Sequence, residues 1–267
     1  MRNTRISSFF HNLKRSVYYF LVRCYSFWTR LLYANKNHTF LFILCPPYCG
    51  STLLNSLLSS SSNVSCNNHL GTREGQLLPG VDHIMFKKDR WDENKRYPWM
   101  EIKNFWLMYW DYSKSIFLEK SIPNLMRVDE INQFFYPIKY ICMVRNPYAH
   151  AEGLMRRNNF SAEKAADFVI RCLDYQRRNI ENNKCLLFIT YEELCDRKED
   201  VLKKLIKFIP ELSDIKIDIK FSSHNFKTNK PMGIKNLNDE KILKISKSNF
   251  KIIDAIFKER KDLLDFF

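Results

Sequence analysis

Residues Gly50, Ser51 and Thr52 have types and positions that suit the binding of an anion. They follow the apolar run Thr39–Cys45, which is typical of a buried strand, and they precede a helix predicted from Leu53 onward. The first N–H groups of a helix have no intrahelical acceptor, and the helix dipole favours negative charge there. The segment therefore predicts an anion cradle of backbone amides with two hydroxyls as further donors. An ordinary strand, turn and helix with the same residues is the alternative interpretation.

This loop does not carry the signature of a nucleotide kinase or NTPase. That signature reads G-x-x-x-x-G-K-[ST], in which the Lys contacts the β- and γ-phosphates and the Ser or Thr contacts magnesium. Residues 45–54 read Cys-Pro-Pro-Tyr-Cys-Gly-Ser-Thr-Leu-Leu and contain no lysine. The sequence therefore gives a P-loop kinase or NTPase less support than other functions that use an anion cradle.

A second candidate is Arg145, which directly follows the apolar run Ile138–Val144. Asn146 and Pro147 come next, and proline is favoured at the first position of a helix. An arginine that ends a parallel strand lies at the edge of the sheet where α/β proteins bind ligands. Its planar guanidinium can hold a phosphate through two hydrogen bonds, which a lysine cannot do. A structural ion pair beside the helix is the alternative role for Arg145.

The elements that must position these residues alternate between strands and helices. Further strands are predicted at Asn63–Cys66, Ser115–Lys120 and Lys184–Ile189, and a helix is predicted to begin near Ser161. This order predicts an α/β protein with a P-loop-like three-layer fold, in which helices cover both faces of a mostly parallel central sheet.

Cysteine usage bears on the redox environment and on metals. The eight cysteines include no C-x-x-C pair, and several lie inside apolar runs, as Cys45 and Cys142 do. Such placement is typical of reduced, buried thiols and not of a disulfide framework. No group of His and Cys residues has the spacing of metal ligands. The sequence therefore predicts a cytoplasmic protein without a metal site.

The formal net charge is +14, and residues 1–38 hold seven Lys and Arg but no Asp or Glu. This balance of charge favours an anionic partner. Only the net charge would support binding of a nucleic acid, and we expect no nucleic-acid partner. We predict a basic, aromatic helical leader over residues 1–38 and an α/β domain over residues 39–267. Arg23 and Arg30 interrupt the apolar residues of the leader, so it is not predicted to span a membrane. It is predicted either to lie peripherally in a membrane surface or to pack on the domain itself.

The loop and the arginine resemble two elements of the sulfotransferases that use 3′-phosphoadenosine 5′-phosphosulfate (PAPS). Residues 47–54 resemble the loop P-[RK]-[ST]-G-[ST]-T-x-L, which binds the 5′-phosphosulfate in that family. The strand followed by Arg-Asn-Pro at residues 145–147 resembles the family's 3′-phosphate element. The branch in question includes tyrosylprotein sulfotransferases and many bacterial relatives. The resemblance implies that the co-substrate is bound by Tyr48, Cys49, Gly50, Ser51, Thr52 and Arg145.

Two further segments extend the resemblance along the chain. Residues 191–194, Tyr-Glu-Glu-Leu, are similar to the Y-E-[DE]-L segment in which the Tyr lies near the adenosine. Residues 230–236 resemble the K-G-x-x-G-x-x-K-N segment that closes over the 3′-phosphate. The resemblance therefore implies that Tyr191 and Lys235 also contact the nucleotide. The elements occur in family order between residues 39 and 236.

The same resemblance implies in-line transfer of a sulfuryl group, without a metal, to the hydroxyl or amine of a carbohydrate, phenol or peptide tyrosine. Lys120 is similar to the family lysine that faces the sulfate, and Glu74 is similar to the acidic base of tyrosylprotein sulfotransferases. His69 and His83 are alternative bases, because other branches use histidine. The Trp-rich segment Asp82–Tyr112 is expected to form either a wall of the acceptor site or part of the core.

Two positions depart from the family pattern. Tyr48 stands where a Lys or Arg contacts the bridging oxygen, and Gly153 stands where a Ser follows the Arg by eight residues. A phenol supplies no positive charge, and losing one transition-state donor typically costs about 2.7–4 kcal/mol. Three outcomes stay open: Lys120 or Arg73 supplies the missing charge, the enzyme is slow, or the chain is a nucleotide-binding relative without activity.

Overall fold

The computed structural model describes residues 2–220 and 233–267, with side chains from residue 13 onward. Within these ranges five parallel strands form one sheet with the order β2-β3-β1-β4-β5. The strands are β1 (Thr39–Leu44), β2 (Val64–Cys66), β3 (Ile116–Glu119), β4 (Ile138–Val144) and β5 (Leu186–Thr190). The predicted α/β fold with a parallel central sheet is confirmed.

Helices connect the strands and cover the sheet. They are α1 (Arg2–Leu32), α2 (Ser51–Leu58), α3 (Asp82–Met85), α4 (Trp99–Trp106), α5 (Val128–Phe134), α6 (Pro147–Asn158), α7 (Ala162–Asn182), α8 (Tyr191–Asp196), α9 (Lys198–Phe208), α10 (Asn238–Ile242), α11 (Lys247–Glu259) and α12 (Lys261–Leu264). Short 3-10 turns occupy Gly75–Leu77, Ile122–Met126 and Pro210–Leu212. As predicted, Ser161 caps α7, since its hydroxyl accepts a hydrogen bond from the Lys164 amide.

The register of the sheet brings three polar segments to one edge. β1 lies in the centre, where Phe42 pairs with Glu119 of β3 and Leu44 pairs with Cys142 of β4. Because all strands run in the same direction, the residues that follow them share the carboxyl edge of the sheet. The loop after β1, Lys120 after β3 and Arg145 after β4 are therefore neighbours.

The two faces of β1 are buried against different layers. Leu41 and Ile43 contribute to an aliphatic core with α2, α8 and α9. Their neighbours Phe40 and Phe42 point to the opposite face and pack in an aromatic core. That second core contains Trp99, Trp106 and Trp110, all at most 2% exposed, and Trp91 packs against it partly buried. Three of the four tryptophans between residues 82 and 112 thus serve the core and do not form an acceptor wall.

Helix α1 packs along the outside of this aromatic layer. Tyr19, Ser26 and Thr29 are buried at the contact, and the Ser26 hydroxyl donates to the Leu107 carbonyl at 3.3 Å. One face of α1 therefore packs on the domain, which is one of the two positions predicted for the leader. Within the described residues, no helix combines the length and hydropathy that crossing a bilayer requires.

Candidate functional site

The loop after β1 wraps around the start of α2. Gly50 has φ +97°, a left-handed conformation that favours glycine, and it is the residue before the helix. The Leu54 amide donates to the Gly50 carbonyl at 3.1 Å, so the amides of Ser51, Thr52 and Leu53 precede the first bond of this helix. The amide of Cys49 closes the turn onto Pro46 at 3.4 Å. The first turn of α2 therefore has the backbone arrangement that the predicted anion cradle requires, and the Ser51 amide also contacts the Cys45 thiol.

Gly50 is required for a second reason, which is its contact with Tyr191. A Cβ atom at residue 50 would lie 2.6 Å from Cδ2 of the Tyr191 ring. Tyr191 begins α8, is 4% exposed, and donates from its hydroxyl to the Lys235 carbonyl at 2.9 Å. The predicted contact residue Tyr191 thus supports the back of the loop and ties it to the C-terminal segment.

Lys120 connects the first turn of α2 with the candidate base. It is 2% exposed, and its Nζ donates to the Thr72 carbonyl at 2.6 Å and to Thr52 Oγ1 at 3.3 Å. The same Nζ lies 3.5 Å from Glu74 Oε1. Burial lowers the pKa of Lys120, while the nearby Glu74 carboxylate acts in the opposite direction. All three neighbours can accept a hydrogen bond from the Lys120 side chain.

Glu74 is held inside the protein and does not project from a loop tip. The residue is 5% exposed, and its Oε2 accepts a hydrogen bond from the Gln76 side-chain amide. Its carbonyl accepts from Asn68 Nδ2 at 2.7 Å. The backbone amide of Gln76 donates to Ser121 Oγ at 2.8 Å. These bonds fix the carboxylate beside Lys120.

A second buried carboxyl group, Glu119, lies behind this pair. Burial raises the pKa of Glu119 to about 8, even though the hydroxyl and amide of Ser121 both donate to it. The proximity of Glu74 adds to this rise. Glu119 is therefore largely uncharged at neutral pH, and the carboxyl oxygen that lies near Lys120 Nζ, at 3.5 Å, is Glu74 Oε1.

Arg145 lies against the same loop from the side of β4. Nη1 donates to the Tyr48 carbonyl at 3.1 Å, and the guanidinium carbon lies 3.9 Å from the centroid of the Tyr191 ring. Nη2 is buried, and among the described residues it has no hydrogen-bond partner. A charged N–H group that is buried without a hydrogen-bond partner destabilises a protein. An anion at this position would accept a hydrogen bond from Nη2 and remove that cost.

The contacts that orient Arg145 come from residues that the sequence reasoning missed. Nε donates to Asn238 Oδ1 at 2.7 Å, and the Asn238 amide donates to the Glu192 carboxylate. Glu192 also accepts from the backbone amide of Asn146 at 2.9 Å. The side chain of Asn146 caps α6 by accepting from the amides of its first turn. This chain of polar contacts joins β4, α6, α8 and α10 around the guanidinium.

Lys241 and His150 place two further basic groups near Arg145. Lys241 Nζ lies 3.4 Å from the Ala149 carbonyl, and burial, followed by the charge of Arg145, lowers the pKa of Lys241 to about 8. Burial also lowers the pKa of His150 to about 3, so this histidine is neutral. His150 Nε2 is buried without a hydrogen-bond partner in the described part of the chain. Nothing in their spacing distinguishes them from other basic residues.

Three other residues predicted for the site are exposed. The Lys235 side chain is 64% exposed and pairs with Glu240 at 2.8 Å, although its backbone contacts Tyr191. His83 lies beside Asp82. His69 lies near Arg73, and desolvation by the surrounding protein, followed by the charge of Arg73, lowers the pKa of His69. Residues 230–232 of the C-terminal motif lie outside the described residues.

Arg73 lies beside α2, and within the described residues no hydrogen bond joins it to Tyr48. It has φ +60°, and its Nη1 lies 3.5 Å from Asn55 Oδ1. The described residues also contain no group of three or more His, Cys, Asp or Glu side chains placed to hold a metal ion.

Comparison with known proteins identifies the family. Residues 41–212, which include the loop, Glu74, Lys120 and Arg145, match the profile described as the sulfotransferase family. The chain belongs to the sulfotransferase family. A search of curated protein sequences found no match.

Solved sulfotransferase structures share the fold. One from Alicyclobacillus acidocaldarius is 13% identical, with a TM-score of 0.51 over 84% of this chain and 93% of that one. One from Mycobacterium avium is 12% identical, with a TM-score of 0.51 over 89% of this chain and 79% of that one. A mouse sulfotransferase in complex with PAP, 16% identical, has a TM-score of 0.42 over 86% of this chain and 88% of that one. The first two show a common sulfotransferase fold.

Proposed function

We propose that this sulfotransferase transfers the sulfuryl group of PAPS to an acceptor hydroxyl or amine. The observation that supports it best is the position of Lys120, whose Nζ lies 3.3 Å from Thr52 Oγ1 of the loop and 3.5 Å from Glu74 Oε1. A cation there lies between the cradle for the leaving phosphate and the base for the acceptor. Family membership gives this arrangement its chemical meaning.

The nucleotide is proposed to bind across the carboxyl edge of the sheet. The amides at the start of α2 and the Thr52 hydroxyl hold the 5′-phosphosulfate. The Nη2 group of Arg145 donates to the 3′-phosphate, with the ammonium group of Lys241 as a second cation. After transfer, release of the sulfated acceptor leaves 3′-phosphoadenosine 5′-phosphate (PAP) bound through the same contacts.

The chemical step is an in-line displacement at sulfur. The acceptor oxygen or nitrogen forms a bond to sulfur while the bond from sulfur to the 5′-phosphate oxygen breaks, and the electron pair stays on that oxygen. Glu74 takes the acceptor proton, and Lys120 stabilises the negative charge on the leaving phosphate. Both groups are held by buried hydrogen bonds, so little reorganisation is needed as charge develops.

The experiment is transfer of radiolabelled sulfate from PAPS to a panel of phenols, sugars and amines in the presence of EDTA. The proposal requires labelled product with at least one acceptor class, and it requires PAP to inhibit. Matched variants are Lys120→Met in the site and Lys203→Met on the surface, where the side chain is 79% exposed. Loss in the first with retention in the second supports the assignment, whereas absence of transfer across the panel contradicts it.

A second candidate function, nucleotide binding without transfer, is favoured by the position of Tyr48. Its hydroxyl donates to Asn158 Oδ1 at 2.5 Å and so is directed toward the end of α6. No positive charge stands at this residue, where the family has Lys or Arg. If this candidate is correct, the wild type binds PAP without transferring sulfate, and Tyr48→Arg gains transfer activity. An active wild type excludes it.

A further inference from the structure

The outer face of α1 carries an exposed apolar stripe that the proposed reaction does not use. Its members are spaced by three, four or seven residues along the helix and lie on one side of it. Each is between 48% and 75% exposed. The stripe consists of Leu13, Val17, Phe20, Leu21, Phe27, Trp28, Leu31 and Leu32.

The opposite face of α1 is held on the domain, so the stripe cannot turn inward. The Tyr19 hydroxyl donates to Asn68 Oδ1 at 3.3 Å, and the Tyr112 amide donates to Thr29 Oγ1 at 3.1 Å. Arg15 Nη2 donates to the Leu77 carbonyl at 3.1 Å. These contacts lie along more than three turns of the helix. The domain therefore presents α1 lengthwise, with its apolar side outward.

Positive charges flank the stripe. At 3.6 residues per turn, Lys14 lies on one side of it, and Arg23 and Arg30 lie on the other. All three are exposed. Residues 1–38 contain seven Lys and Arg and no Asp or Glu. If a second copy of this chain packed on the stripe, its own cations would lie against those of the first copy and repel them. A surface of anionic lipids instead complements both the apolar stripe and the cations that flank it.

We propose that the outer face of α1 is an interfacial surface that binds anionic lipid membranes. The aromatic and aliphatic side chains of the stripe enter the boundary between headgroups and acyl chains, and the flanking cations contact lipid phosphates and carboxylates. The helix lies in the plane of the membrane, and the domain stays on the aqueous side. This inference does not depend on the catalytic proposal.

The test is flotation of the full chain with vesicles of phosphatidylcholine alone or with about 30% phosphatidylserine. Binding is expected to the anionic vesicles and to weaken with added salt. Phe20→Ser/Trp28→Ser removes two exposed aromatics and is expected to weaken binding by tenfold or more, on the order of what the lost apolar burial supplies. The matched control is Tyr136→Ser/Leu243→Ser, which removes side chains 87% and 85% exposed elsewhere on the protein.

Charge variants separate the electrostatic part of the interaction. Lys14→Gln/Arg23→Gln is expected to weaken binding to anionic vesicles by about tenfold. Lys203→Gln/Lys251→Gln removes the same charge from other exposed positions and is expected to change binding little. All these side chains are exposed, so the variants should keep the wild-type melting temperature, which a thermal scan verifies.

Two results would overturn the proposal. One is failure of the wild type to float with anionic vesicles at low salt. The other is a concentration-dependent dimer in analytical ultracentrifugation that Phe20→Ser/Trp28→Ser dissociates, because the stripe would then be the interface with a second copy.

Discussion

Gly153 lies directly beneath Tyr48. A Cβ atom on Gly153 would come within 2.8 Å of the Tyr48 Cβ and 3.2 Å of its Cγ. These are the two positions at which the sequence departs from the sulfotransferase pattern, and the structure joins them in one contact. The absence of a side chain at residue 153 makes room for residue 48, which has φ +64°. The two departures are therefore coupled in space.

Gly153→Ala should destabilise the protein, because the new methyl group meets backbone-linked atoms that cannot move away cheaply. We expect a loss of about 1–3 kcal/mol in the free energy of unfolding, measured by denaturant titration. Gly233→Ala is the matched control, since a Cβ there meets no atom of the described residues within 4 Å. Combining Gly153→Ala with Tyr48→Gly should cost less than the sum of the single changes. Strict additivity would refute the coupling.

Glu74→Gln should abolish most of the transfer while leaving nucleotide binding nearly intact. The amide keeps the shape of the carboxylate but cannot take the acceptor proton, so the rate of a single turnover should fall by about 10²–10⁴-fold. Calorimetry should give a PAP affinity within a few-fold of wild type. Glu211→Gln, on an exposed carboxylate far along the chain, is the control. A Glu74→Gln enzyme with wild-type turnover would remove Glu74 as the base.

Lys241 should make PAP binding sensitive to alkaline pH. Its pKa in the free protein is lowered to about 8, so above that pH the ammonium loses its proton before it meets the phosphate. We expect the affinity to fall by roughly tenfold or more between pH 7.5 and 9.5. The contribution of Lys241 to the stability of the free protein should change in the opposite direction, because between about pH 8 and 10.5 this lysine binds fewer protons in the folded state than in the unfolded state.

Variants identify Lys241 as the source of this pH dependence. Lys241→Met should bind PAP more weakly at pH 7.5 and lose most of the additional fall at pH 9.5. Lys244→Met, three residues further on and exposed, should keep the wild-type profile. Glu119, whose pKa is also about 8, is present in all three proteins and cancels in the comparison. An unchanged profile in Lys241→Met would show that this lysine does not face the phosphate.

The framework of the fold followed from the sequence because it depends on local patterns. The strand predicted at Ile138–Val144 has those bounds in the structure, and the run from Thr39 forms the central strand. Apolar runs followed by polar residues are enough to indicate parallel strands and the edge where ligands bind. Helix α2 begins two residues earlier than predicted, at Ser51, because the left-handed Gly50 precedes it.

The surroundings of the site could not be predicted, because they join side chains that are far apart in sequence. Arg145 Nε donates a hydrogen bond to Asn238, which is 93 residues away along the chain. No motif in the sequence around Asn238 indicates this contact. Glu74 was predicted as a base, but its burial through contacts with Lys120 and Gln76 could not be predicted. The side chain of Lys235, chosen from a loose motif, pairs with a surface carboxylate. Motif spacing locates a residue along the chain but does not specify its three-dimensional partners.

The most direct test of the account is calorimetric comparison of PAP with adenosine 5′-phosphate, which lacks the 3′-phosphate, on the wild type and on Arg145→Ala. We predict that the wild type prefers PAP and that Arg145→Ala loses about 100-fold of its affinity for PAP but no more than about tenfold for adenosine 5′-phosphate, the smaller loss coming from the hydrogen bond to the Tyr48 carbonyl of the loop. Arg197→Ala, an exposed arginine that pairs with Glu193, should bind both nucleotides as the wild type does. Equal losses for the two nucleotides, or no preference for PAP in the wild type, would contradict the assignment of Arg145 to the 3′-phosphate.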